Sequence, residues 1–128
     1  MAVKRTPEQE EVVKNRGGAL LVSAAAGSGK TRVLVERLMD YILQEGRNID
    51  EFLIITFTRA AAEELRARIA KEIAEALAAQ PDHAHLRQQT VRLYETQIST
   101  IHAFCTVLLR QWGHLLDIPG DFALCEDE

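Results

Sequence analysis

Leu20-Leu21-Val22-Ser23-Ala24-Ala25-Ala26-Gly27-Ser28-Gly29-Lys30-Thr31 is an apolar run that empties into a glycine-containing loop and then into a helix-forming segment. A buried strand, a loop of inward-pointing backbone N–H groups and a helix amino end, in that order, form a cradle for a polyphosphate. Gly27 and Gly29 allow the unusual backbone angles that such a loop requires. Gly29-Lys30-Thr31 completes the end of the phosphate-loop pattern, whereas the opening glycine of that pattern is replaced by Ala24. A methyl group at the entry of the loop leaves the later amides free. Lys30 is then expected to reach the β- and γ-phosphates, and the Thr31 hydroxyl to hold Mg²⁺. The plainer alternative is a Gly-Ser-Gly turn that only joins a strand to a helix.

The 128 residues suffice for one domain with a real core. A net charge of −4 excludes a uniformly basic coat, so any nucleic-acid contact has to be local and geometric. Cys105 and Cys125 have neither metal-ligand spacing nor a disulfide framework, which fits a reducing compartment. The amino end, Met1-Ala2-Val3-Lys4-Arg5-Thr6-Pro7, lacks the apolar stretch of a signal sequence, and no run reaches membrane-spanning length. A soluble cytoplasmic protein without internal repeats is expected.

Thr6-Pro7-Glu8-Gln9 reads as a helix start, with Thr6 as cap, Pro7 in the first helical position and Gln9 spaced for a capping box. Gln9 has a second reading, in which its amide offers one donor and one acceptor to the edge of an adenine. Gly17-Gly18 closes this helix, and residues 19–23 are expected as a buried strand. Beyond the loop, Val33, Leu34, Arg37, Leu38, Tyr41 and Ile42 recur at helical spacing up to Gly46. Phe52 to Phe57 reads as a second buried strand, and Thr58 caps a long helix with Leu65, Ile69, Ile73 and Leu77 on one face. Pro81 to His85 is a surface connection, and its two histidines read as solvated or, with partners, as metal ligands. A helix over 86–94, a short strand over 96–99 and a Thr100-capped helix from Ile101 to about Leu116 complete the pattern. Alternating strands and helices predict a parallel α/β sheet with right-handed crossovers. Ligands of such sheets gather beyond the carboxyl ends of the strands, where Ser23–Thr31, Thr56–Arg59 and Thr100–His102 all fall.

Four stretches in this order resemble consecutive motifs of the superfamily 1A DNA helicases of the UvrD/Rep type. They are Thr6 to Gln9, Ser23 to Thr31, Thr56-Phe57-Thr58-Arg59-Ala60-Ala61-Ala62-Glu63-Glu64-Leu65, and Ser99-Thr100-Ile101-His102-Ala103-Phe104-Cys105. The double Ala before Gly27, Leu34-Val35-Glu36-Arg37-Leu38, and Asp117-Ile118-Pro119 ahead of Phe122 are most similar to the AddA-type helicase–nuclease subunit. The resemblance implies the amino-terminal part, residues 1–128, of a P-loop RecA-like ATP-binding domain. Its cofactors would be ATP and Mg²⁺. Its partners would be single-stranded and duplex-end DNA and an AddB-type subunit. Gln9 would contact adenine, residues Ser23, Ala24, Ala25, Ala26, Gly27, Ser28, Gly29, Lys30 and Thr31 would hold the triphosphate, and Arg32 would lie near the base or sugar. Lys30 and Thr31 would serve catalysis. Thr56, Phe57, Thr58, Arg59, Thr100 and His102 would face DNA.

Arg59 stands where the family usually has Asn, and Leu65 where it often has Met. The residues themselves leave two readings for Phe57, as a continuation of the apolar core run or as a ring that stacks on any base. His102 is likewise either a packed histidine at a helix start or a phosphate contact. Hydrolysis also needs a strand-end carboxylate and an arginine for the transition state. Phe122 to Glu128 only superficially matches an apolar strand ending in acids, so the chain alone is expected to be inactive. Two rivals remain, a small phosphotransferase and a non-hydrolysing nucleotide-binding or interaction module.

Overall fold

The computed structural model describes residues 4–124; Cys125 and the acids of 126–128 lie outside the described residues. These form five α-helices and two short strands: α1 (Pro7–Lys14), α2 (Lys30–Glu45), β1 (Ile54–Thr56), α3 (Arg59–Ala79), α4 (Ala84–Arg92), β2 (Ile98–Thr100) and α5 (Ile101–Trp112). Single 3₁₀ turns cover Ile49–Glu51 and Gly113–Leu116. The chain is thus α/β, and its two strands run parallel in the register Ile54↔Ile98, Ile55↔Ser99 and Thr56↔Thr100.

Helix boundaries follow local chemistry. Thr6 and Gln9 form the expected capping box at α1, and Gly46 ends α2 with a left-handed backbone, φ 66°. The end of α1 is a correction: Asn15 rather than Gly17 caps it, and the Asn15 side chain accepts from Gly17 N–H at 3.3 Å. Thr58 and Thr100 cap α3 and α5 through their hydroxyl oxygens, which accept from Ala61 and Ala103 N–H at 3.1 and 3.2 Å. The Glu64–Arg68 and Lys71–Glu75 surface pairs form at 2.6 and 3.7 Å.

One face of α3 (Ala62, Leu65, Ile69 and Ile73) packs with Val35, Leu38, Met39 and Ile42 of α2 and with Ile49, Ile54, Leu86, Leu93 and Ile98. A polar hub sits inside this core. Gln89 is fully buried, accepts from Ile49 N–H at 2.8 Å, and donates to Asn48 Oδ1 at 3.1 Å and to the His85 carbonyl at 3.2 Å. His83 caps α4 by accepting from Leu86 N–H at 3.3 Å, and His85 lies 3.1 Å from the Arg47 carbonyl. Both histidines therefore serve the α4 connection.

Three strand expectations are corrected, the mildest being 96–99, of which only Ile98 and Ser99 join β2 while the strand runs on through Thr100. Residues 19–23 are not a strand; they pair with neither β1 nor β2, and Leu20, Leu21 and Val22 are exposed, Leu21 to 92%. An apolar run becomes a strand only where another backbone meets its N–H and C=O groups, and no described segment does so here. In 52–57 only Ile54–Thr56 joins the ladder and only Ile54 is buried, while Leu53, Ile55 and Phe57 are exposed.

Candidate functional site

The loop before α2 has the backbone its glycines allow. Gly27 and Gly29 have φ of 79° and 86°, and Ser28 N–H closes a turn on the Ala25 carbonyl at 3.2 Å. Gly29 caps α2 without any side chain covering the helix start. The first N–H groups of α2 therefore keep their capacity for an anion, at the end of the helix dipole that favours one. Lys30 Nζ hydrogen-bonds the Ala24 carbonyl and, at 3.0 Å, the Ala25 carbonyl. The ammonium is thereby folded over its own loop.

A cavity of about 760 Å³ opens beside this loop. Gln9, Ser23, Ala24, Ser28, Lys30 and Thr31 line its polar side, and Val12, Leu20, Val22 and Val33 its apolar side. Among the described residues, Glu8 is the only acid on its wall. Hydrogen bonds from its own backbone amide and from Thr6 hold that carboxyl below its ordinary pKa. It serves the amino end of α1.

Gln9 ties α1 to the loop. Its Oε1 accepts from Thr6 N–H at 3.0 Å, and its Nε2 donates to the Ser28 carbonyl at 3.3 Å. Arg32 approaches the same amide, with a nitrogen 3.5 Å from Gln9 Oε1, and pairs with Glu36 at 3.1 Å. Glu36 also binds Arg5 at 2.7 Å, and Arg5 reaches Glu10 at 2.9 Å. These bonds to Glu10 and Glu36 raise the Arg5 pKa further. Arg5 and Glu36 escaped sequence reading, because Arg5 just ahead of α1 and Glu36 on α2 both read as ordinary solvated charges.

The second cluster lies at the carboxyl ends of the strands. Thr56 and Thr100 are ladder partners, side by side. The Thr56 hydroxyl donates to the Thr58 carbonyl at 2.9 Å, so its proton is committed. Thr58 and Thr100 each spend one lone pair on a helix cap and keep the O–H donor. Phe57 is fully exposed, which takes it out of the core. Arg59 and His102 are exposed as well, in the first turns of α3 and α5. Two helix amino ends thus open beside one pair of threonines, a setting that favours phosphate oxygens.

Of the three clusters expected on one sheet edge, the ladder unites Thr56–Arg59 with Thr100–His102. The Ser23–Thr31 loop stands outside the sheet, because 19–25 joins no strand. No helix among the described residues is long and apolar enough to cross a membrane.

Comparison with known proteins gives the family of this α/β chain. The UvrD/REP helicase N-terminal domain matches residues 5–128, and the chain belongs to that family. It is 48% identical over 124 residues to an ATP-dependent helicase/nuclease subunit of Lachnoclostridium phytofermentans, covering 95% of this chain and 9% of that protein. The corresponding protein from Oceanobacillus iheyensis is 45% identical over 127 residues, covering 98% and 10%. That of Syntrophomonas wolfei is 47% identical over 121 residues, covering 94% and 10%. The chain spans about a tenth of the length of these curated relatives.

Proposed function

We propose that residues 1–128 are the amino-terminal, ATP-binding part of a P-loop RecA-like domain in a DNA helicase–nuclease subunit. The complete polypeptide would couple ATP hydrolysis to movement along single-stranded DNA during double-strand break repair and recombination in the cytoplasm. It would engage DNA ends together with an AddB-type partner subunit. The observation that carries this reading is the Thr56↔Thr100 ladder pair, flanked by two threonine-capped helix starts and the exposed Phe57 ring.

Each part has a physical task. The uncapped start of α2 and the left-handed Gly27 and Gly29 fit a triphosphate, with Gln9 and Arg32 toward the base. Lys30 would leave the Ala24 and Ala25 carbonyls for the β- and γ-phosphates. Mg²⁺ is a hard cation that takes oxygen ligands; the exposed Thr31 hydroxyl fits it, and the ion would neutralise charge developing on the phosphates. At the strand edge, Thr58 and Thr100 would donate to DNA phosphates, while Phe57 would stack on a base regardless of its identity. ATP would draw this lobe toward a second RecA-like lobe, so that one holds the strand while the other steps.

A nucleotide-binding module without hydrolysis is the second reading. Both readings require nucleotide binding. Calorimetry with magnesium–ATP tests it, with binding expected for the native sequence and loss in Lys30→Ala. Equal heats for the two proteins would refute the cradle. The 128 residues alone are expected to release no phosphate above that Lys30→Ala control.

A further inference from the structure

Beside the buried stripe of α3 stands a charged residue that does not point to solvent. Arg66 follows Ala62 by four positions and lies between Leu65 and Ile69, which turns its side chain along the flank of the stripe toward α4 and β2. It is half-buried, and its guanidinium donates to three backbone carbonyls. One nitrogen reaches the Leu93 carbonyl at 2.5 Å, and the other reaches Thr96 at 3.1 Å and Ile98 at 3.4 Å. Leu93 is the carboxyl cap of α4, Thr96 closes the turn that follows, and Ile98 opens β2.

The Ile98 carbonyl shows what this accomplishes. Gln97 C=O accepts from Ile54 N–H at 2.9 Å and so faces β1. Successive carbonyls of a strand alternate in direction, so Ile98 C=O faces the other edge, where Arg66 meets it. One planar group thus clamps a helix end, a turn and the outer edge of a three-residue strand. Thr96, itself buried, adds a bond from its hydroxyl to the Arg92 carbonyl at 3.0 Å. The buried Ile98 side chain and this clamp together fix the register of a strand this short, and a slip of one residue would part Thr100 from Thr56.

We propose that Arg66 is a positioning residue for the nucleic-acid edge. It sets where β2 ends, and therefore where Thr100 and His102 stand relative to Thr56, Phe57 and Thr58. The inference rests on the reading of that edge as a strand-binding surface. Arg66 acts through backbone carbonyls, so its fork geometry matters and its charge alone does not suffice.

The test uses the complete polypeptide with Arg66→Lys, Arg66→Gln and Phe57→Ala, measuring ATP hydrolysis against single-stranded DNA and against ATP. Both Arg66 variants should raise the DNA concentration for half-maximal stimulation by about tenfold, as expected for losing a charged hydrogen-bond set. The KM for ATP should stay within about twofold, because the loop before α2 shares no partner with Arg66. Amide hydrogen exchange in Arg66→Lys should quicken over 98–102 and not over 30–45. Native DNA response in Arg66→Lys would overturn the inference, and so would a parallel loss of ATP affinity. If Phe57→Ala shifts the DNA response and the Arg66 variants do not, positioning fails while the edge reading stands. If none of the three shifts it, the edge reading fails and takes the inference with it.

Discussion

Lys30 is folded back over the loop that precedes α2. The ammonium satisfies two carbonyls of its own loop and nothing in the core, so Lys30→Ala should abolish magnesium–ATP binding while leaving the thermal midpoint within about 1 °C, as for surface changes generally. Differential scanning fluorimetry with and without nucleotide separates the two effects. Gly29 is a different case. A methyl there would meet only Gln9 Nε2 at 3.7 Å, so space is available, but φ of 86° strains any L side chain. The loop's backbone was legible, since Gly27 and Gly29 do take the left-handed angles their position in the sequence asks for. Gln9 was not, since capping and base contact ask for the same amide; the structure shows it capping Thr6 and holding Ser28. Phe57 was undecidable for another reason. Alternation cannot say where a strand stops, and here it stops at Thr56, leaving the ring outside.

Among the elements, α3 is the spine, and its stripe was read correctly because 21 residues give the helical period room to show. Ile69 is fully buried among α2, α3 and strand residues, so Ile69→Ala should cost about 2–5 kcal/mol of stability, measured by urea unfolding. Gln89→Leu should cost about 1–3 kcal/mol in the same assay, by leaving Ile49 N–H buried without an acceptor. Nothing in the sequence marked Gln89, which sits on a helix otherwise rich in polar residues. Nor did the run at 19–23 reveal that its exposed flanks lack a ladder partner; hydrophobicity reports a wish for burial, while pairing depends on distant backbone.

The α1–α2 junction carries a pH dependence. Burial pushes the Asp40 carboxyl up, but hydrogen bonds and charges from Lys14, at 2.7 Å, and Arg16 outweigh it and leave the pKa below its ordinary 3.8. A depressed carboxylate contributes stability above its unfolded pKa, and that contribution is lost as pH falls through the folded value. Asp40→Asn should therefore narrow the stability gap between neutral and acid solution, with the difference from the native protein shrinking as pH falls below the ordinary carboxylate range and through the depressed folded value. A thermal-melt series across pH checks this, and parallel curves for the two proteins would contradict it.

For the molecule as a whole, a net charge of −4 leaves nucleic-acid contact to local geometry. The α/β class and family membership were legible because four motifs stand in order; the meeting of two of them at Thr56 and Thr100 needed the ladder register. The central claim is that this edge grips a strand through stacking and phosphate contacts while a separate loop holds ATP. It is tested most directly by DNA-stimulated ATP hydrolysis in the complete polypeptide carrying Phe57→Ala. The half-stimulating concentration of single-stranded DNA is predicted to rise by an amount equivalent to about 1–3 kcal/mol, with the KM for ATP unchanged. An unchanged DNA response, or a loss confined to ATP affinity, would contradict it.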